Sequence, residues 1–211
     1  MCARYPSIAL RPKDVARVFD ADLAELFDPK EDVRPTDPAP IVVREEGERK
    51  VRVARWGLVP SWAEDAKIGS RLFNARAETL AEKPAFRGAY RARRCLIPAN
   101  GFFEWKNGVR HLFTVKDTPI FAFAGLWETW HPEQENLRTY TMVTTVPNEA
   151  VQPFHDRMPA ILTPDQYDRW LDPAIRETGE LSALLAPVPS SILVCTAAGE
   201  AEAQAQGSLF E

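Results

Sequence analysis

Residues 102–115 read Phe-Phe-Glu-Trp-Lys-Asn-Gly-Val-Arg-His-Leu-Phe-Thr-Val, two β-prone runs joined by Asn107-Gly108. Asn-Gly accepts positive φ at both central positions of a type I′ turn, whose twist matches the strands that it joins. The segment therefore predicts a β-hairpin, FFEWK against VRHLFTV. Outward from it, KVRVARW (50–56) alternates apolar and polar residues, and PIFAFAGLW (119–127) and RTYTMVTTV (138–146) supply two further strands. Consecutive strands joined by short turns imply antiparallel pairing.

Helical signals flank this β region. Val15, Val18, Phe19, Leu23, Leu26 and Phe27 recur at helical spacing after Asp14, which predicts an amphipathic helix packed on something larger. Thr163-Pro164-Asp165-Gln166 has the order of a capping box, with Thr163 as N-cap and Gln166 reaching back, so a helix should run through Trp170. Leu181, Leu184 and Leu185 mark another short helix, and SSILVCT (190–196) closes the domain as a strand. The whole reads as one domain, residues 1–196, followed by a small, polar, flexible tail over 197–211.

Composition narrows the function. No run of about 18 apolar residues exists to span a bilayer, and the N-terminus lacks the basic-then-apolar order of a secretory signal. The expected location is the cytoplasm. Cys2, Cys95 and Cys195 have neither the even count of a disulfide framework nor the close pairing of a zinc site, so they read as free thiols and imply no metal or cofactor. A net charge of −4 argues against binding duplex DNA by charge alone, while leaving room for a local basic groove. Arg87, Arg91, Arg93 and Arg94 crowd into RGAYRARR, which reads as a solvated helix face.

Cys2 follows Met1, and methionine aminopeptidase removes Met1 when the next side chain is small. The mature chain then begins with an α-amine and a thiol on one carbon. Such a terminus condenses with an aldehyde through its amine as a Schiff base and then through sulfur as a thiazolidine. An α-amine titrates near pH ~8 and a thiol near ~8.5, which leaves some of each reactive at neutral pH.

Polar residues set among apolar ones are the other candidates. Asn74 and Arg76 lie in RLFNARAET, after RWGLVPSW, which puts Trp62 near a turn. Glu104 interrupts GFFEW, and alternation puts it on the face opposite Phe103 and Trp105. The bland readings are that Asn74 caps a helix and Glu104 faces water. His155, in QPFHDRMP, sits in a rigid loop between prolines, as a proton shuttle or as a hydrogen-bonded structural residue. Arg157 beside it suits a phosphate, or pairs with Asp156 or a glutamate. His111 and His131 look ordinary.

MCARY, RWGLVPSW, NARAET, CLIPANGFFEWK and HDRMPAIL, in this order along nearly the whole chain, resemble the SRAP family, the SOS-response-associated peptidases whose members crosslink to abasic sites. The resemblance implies an α+β fold, a single domain with a curved, barrel-like, mainly antiparallel β core flanked by helices and a groove open to single-stranded DNA. It places the active residues on Cys2, Asn74, Glu104 and His155. Trp62 would stack on bases beside the gap, and Arg76, Arg157 and Arg4 would grip phosphates. Ala3 departs from the glycine usual after the cysteine, and Asp32 replaces a residue of the family pattern, so no DNA contact is carried over to it.

The implied function is covalent capture of abasic sites in single-stranded DNA, with slow reversal and lyase cleavage as side reactions. Two alternatives draw on the same residues. One is a cysteine peptidase or amidohydrolase, with Cys2 as nucleophile, His155 as base and Glu104 or Asn74 as orienter. The other is a non-covalent single-stranded DNA-binding module at the replication machinery. The last residues, Gln206-Gly207-Ser208-Leu209-Phe210-Glu211, resemble the Gln-x-x-Leu-Phe peptides that dock on bacterial sliding clamps.

Overall fold

The computed structural model describes residues 3–130 and 137–197. Twelve strands are present among them: β1 Asp22–Leu23, β2 Pro38–Glu45, β3 Glu48–Trp56, β4 Asn74–Arg76, β5 Arg94–Ala99, β6 Phe102–Lys106, β7 Val109–Val115, β8 Phe121–Trp130, β9 Leu137–Thr145, β10 Met158–Pro159, β11 Ile161–Leu162 and β12 Leu193–Ala197. Four short α-helices accompany them: α1 Pro12–Val18, α2 Arg87–Ala92, α3 Tyr167–Leu171 and α4 Thr178–Ala183.

β2 pairs with both β3 and β5, β5 continues to β8, and β8 to β9, all antiparallel. β9 then returns to β3 in parallel, with Arg55 opposite Thr139 and Trp56 opposite Tyr140, which closes a five-stranded barrel. Antiparallel pairing therefore holds for the hairpins, but β1–β3, β3–β9 and β4–β9 are parallel, and the barrel is mixed. A separate antiparallel sheet, in the order β12-β7-β6, carries the hairpin at Asn107-Gly108. Both turn residues have positive φ, 52° and 80°, as type I′ geometry requires.

Two apolar layers hold these strands. Ile41, Val43, Cys95, Ile97 and Phe123 face inward with Tyr5, Trp56, Tyr140 and Met142. Val42, Val51, Leu96 and Ala124 face outward onto Val15, Phe19, Tyr167 and Trp170 of the helical side. β2 and β5 are thus buried on both faces and show continuous apolar runs rather than alternation, which is why neither stands out as a strand in the sequence. Prolines 38, 40 and 98 disguise them further. Pro38 and Pro40 are tolerated because β2 meets β5 only at Val42 and Val43.

The helical signals hold in part. Gln166 Oε1 accepts the Thr163 amide at 2.9 Å, and α3 runs through Trp170, whose indole donates to the Cys95 carbonyl at 2.9 Å. The first helix ends sooner than its periodicity suggests. Asp20 turns to φ 46°, the chain enters β1 at Asp22, and Leu26 is exposed. The RGAYRARR cluster is also not a uniformly solvated face. Arg94 is buried and donates to the carbonyls of Tyr90, Trp170, Asp172 and Ile175, while Arg93 pairs with Glu128 at 2.6 Å. One guanidinium thereby ties together backbone acceptors of α2, of α3 and of the turn after it.

At the barrel's end Gly57 (φ 129°) and Gly69 pass backbone against backbone, and a Cβ on Gly69 would stand 2.5 Å from the Gly57 carbonyl oxygen. This approach sets the course of residues 66–73 into β4. Gly57→Ala and Gly69→Ala should each lower stability by roughly 1–3 kcal/mol, read as a shifted denaturation midpoint with an unchanged slope.

Candidate functional site

Thr144, near the end of β9, is the point where two segments meet. β4 lies parallel on one side, pairing Asn74 with Met142 and Arg76 with Thr144, and β10 lies antiparallel on the other, pairing Pro159 with Thr144. Asn74 therefore begins a strand and caps no helix. The loop before β10 carries His155 and is pinned by Asn148, whose Oδ1 accepts the Val151 amide at 3.1 Å and whose Nδ2 donates to the Val188 carbonyl at 2.9 Å. The result is a cavity of about 280 Å³ lined by Asn74, Arg76, Thr144, His155, Asp156 and Arg157.

Glu104 approaches from the second sheet. It stands opposite His111 in the β6–β7 register, so both side chains share a face. Phe154, one residue before His155, packs edge-on against that face, 4.8 Å from His111 and 5.0 Å from Phe113 between ring centroids. His111 is therefore a support for the loop. Glu104 is only 4% exposed, and its buried Oε1 accepts no hydrogen bond from the described residues. Burial, reinforced by the charge of Asp156, pushes its pKa up to about 7. The alternative reading, in which Glu104 simply faces water, is thus excluded.

His155 is shifted the other way, below the ordinary imidazole value, with burial the largest cause. Its Nδ1 lies 2.9 Å from the Arg157 amide and 2.8 Å from Asp156 Oδ1. Nδ1 cannot serve both. As a lone pair it accepts the amide, which leaves the ring hydrogen on Nε2, and as N–H it donates to the carboxylate. The lowered pKa favours the neutral ring, and the Arg157 amide hydrogen directed at Nδ1 favours the first arrangement. Two groups that are ordinarily charged at neutral or mildly acidic pH are thus both held toward their neutral forms, a pattern typical of proton-transfer sites.

The arginines divide. Arg76 is exposed at the cavity rim. Arg157 also borders the cavity, with its fork on Glu78 at 2.8 and 3.0 Å and on the Thr144 carbonyl at 2.6 Å. Arg4 is outside the cavity lining and ion-paired with Asp32. Trp62 is 60% exposed and borders a different cleft, with Lys67, Ile68 and Arg71. Cys2, His131, Gln206, Leu209 and Phe210 lie outside the described residues. Cys95 is fully buried with its thiol pKa pushed up by burial, which makes it unreactive.

Asp156 and Glu78 are site residues that the sequence reading did not single out. Asp156 was considered only as a partner for Arg157. Its real neighbour is the imidazole beside it, and the Glu78–Arg157 pair joins positions too distant in sequence for spacing to reveal.

Comparison with known proteins agrees with this architecture. A protein from Bacteroides thetaiotaomicron has a crystal structure that superposes with a TM-score of 0.86 at 28% identity, covering 93% of this chain and 91% of that one. Abasic site processing protein YoqW of Bacillus subtilis is 39% identical over 196 residues, covering 89% of this chain and 87% of its own. Abasic site processing protein YobE of the same organism is 40% identical over 196 residues, covering 89% of each. The family model described as SOS response associated peptidase matches residues 1–201. The chain belongs to the SOS response associated peptidase (SRAP) family.

Proposed function

We propose that this protein captures abasic sites in single-stranded DNA covalently, through the amine and thiol of Cys2 after Met1 is removed. The relatives named above as abasic site processing proteins support the substrate. The observation that carries the chemistry is Glu104, a buried carboxyl titrating at about 7. It sits one residue from Phe103, whose amide donates to the Arg4 carbonyl at 3.1 Å and so holds the segment leading to Cys2 alongside it.

The reaction needs one proton donor and one acceptor. The Cys2 amine adds to the aldehyde carbon of the ring-opened sugar, and the carbinolamine loses water to give an imine. The thiolate then adds to the same carbon and closes the thiazolidine, with one water released overall. Protonated Glu104 donates to the departing hydroxyl and, as the carboxylate, takes a proton from the amine. Neutral His155, with its hydrogen on Nε2, donates to the oxygen of the opened sugar, and the Asn74 amide orients the terminal residue. Arg76 and Arg157 hold flanking phosphates, with Glu78 fixing the Arg157 fork until DNA arrives, and Trp62 stacks on a neighbouring base. A slow strand-cleaving lyase reaction would begin from the same imine. The tail at Gln206, Leu209 and Phe210 docks on a bacterial sliding clamp and delivers the protein to exposed template near the replication machinery.

Cys2→Ala should abolish the adduct that survives denaturation when the protein is mixed with single-stranded DNA carrying an abasic site. Acetylating the mature amine should be equally damaging. Cys2-dependent hydrolysis of peptides with no DNA adduct would replace this reading with a peptidase.

Adduct formation should rise with pH as amine and thiol deprotonate near ~8 and fall as Glu104 loses its proton above about 7. Glu104→Gln should slow capture by roughly 100-fold and erase the fall above neutrality, as initial rates across this range would reveal.

A peptide spanning residues 202–211 should bind a bacterial clamp with a dissociation constant on the order of micromolar. Alanine at Leu209 and Phe210 should remove that binding in a calorimetric titration.

A further inference from the structure

Glu104 lies at the centre of one face of the second sheet. Alternation along β6 puts Phe102 and Lys106 on the same face, and the register sets Phe113, His111 and Val109 across from Phe102, Glu104 and Lys106. The Phe154 ring rests on three of these neighbours. It meets His111 and Phe113 edge-on, and the Lys106 ammonium lies 5.1 Å from its centre. His111 stands directly opposite Glu104, Lys106 two positions along its strand and Phe113 on the diagonal, positions whose Cβ atoms ladder geometry keeps within about 8 Å of that of Glu104. The ring is thus gripped by the residues that surround Glu104.

Phe154 belongs to the loop that carries His155, residues 146–157 between β9 and β10. Backbone bonds from Val151 and Gln152 to the Asn148 carbonyl, and from Phe154 and His155 to the Val151 carbonyl, hold the shape of this loop. Such internal bonds leave open how the loop sits against the second sheet, and the Phe154 ring makes that contact. Two edge-on aromatic partners and a cation near the ring favour one orientation of it, which a shapeless apolar filler would not. His155 is the next residue, so a shift of the ring carries the imidazole with it. Proton transfer is sensitive to such shifts, because a misplacement of about 1 Å can cost on the order of 100-fold in rate.

We propose that Phe154 is a positioning residue for capture: gripped by Lys106, His111 and Phe113, its ring sets the His155 loop against the strand that carries Glu104. The inference rests on the capture function above and names what keeps its two proton-transfer groups in register. The effect of Phe154 passes through His155 rather than through any contact with DNA.

The test measures single-turnover capture by the full chain over a range of concentrations of abasic single-stranded DNA, which separates the maximal rate from half-saturation. Phe154→Ala should lower the maximal rate by roughly 30-fold and leave half-saturation within about twofold. Phe154→Tyr keeps the ring and should recover most of the rate. In a His155→Ala background, followed for hours, Phe154→Ala should cost less than about twofold further, because the group that it positions is gone. Phe154→Leu supplies apolar bulk without a ring edge and should slow capture by roughly tenfold, which keeps the test decisive if the alanine variant does not fold. Denaturation midpoints establish that each variant is folded at the assay temperature. A folded Phe154→Leu that captures at the full rate, a loss confined to half-saturation, or an equal slowing with and without His155 would overturn the positioning role alone. No adduct from the unaltered protein would defeat the capture function itself.

Discussion

The parallel seam between β3 and β9 is the constraint on which the molecule depends. It converts an open run of antiparallel strands into a closed barrel, and it does so through Trp56 and Tyr140, which are register partners with nearly coplanar rings. The Tyr5 hydroxyl lies 2.7 Å from that of Tyr140, and the Trp56 indole donates to the Phe73 carbonyl at 2.7 Å. The seam thus orders both the N-terminal segment and the approach to β4. With β9 fixed in the barrel wall, its far end offers Thr144 as the common neighbour of Asn74, Arg76 and the His155 loop. One wall of the site is thus an extension of the barrel, and the His155 loop closes the other.

Electrostatics at this site run against the ordinary states of its side chains. Glu104 is held toward its acid form by burial and by the charge of Asp156, and His155 is held toward its base form by burial, against the opposing charge of Asp156. A carboxylic acid and a neutral imidazole can each donate without first recruiting a proton from solvent. The buried Oε1 of Glu104 accepts no hydrogen bond from the described residues, and an unpaired carboxylate is costly in such a setting, which is why the acid form is favoured.

Much of this was legible in the sequence. The Asn107-Gly108 hairpin is specified by local chemistry and formed as expected, and Thr163 and Gln166 capped their helix as their spacing implied. β2 and β5 escaped notice because burial on both faces erases alternation and prolines mask what is left. The parallel ladders join strands far apart in the chain, and no local pattern encodes them. At the site, Asn74, Glu104 and His155 stood out through polar residues in apolar settings and through family motifs. The pairing of Glu78 with Arg157 and the reach of the Asp156 charge to Glu104 depend on which groups the fold brings together, and no local pattern encodes them.

The seam also orders events in time. Synthesis proceeds from the N-terminus, yet Tyr5 rests on Tyr140, and β3 must wait for β9 before the barrel can close. The early backbone partners of this segment are Lys30 and Val33, which bond Ser7 and Tyr5. A nascent chain of this design therefore cannot complete the tyrosine contact at its beginning until β9 has left the ribosome and closed the wall.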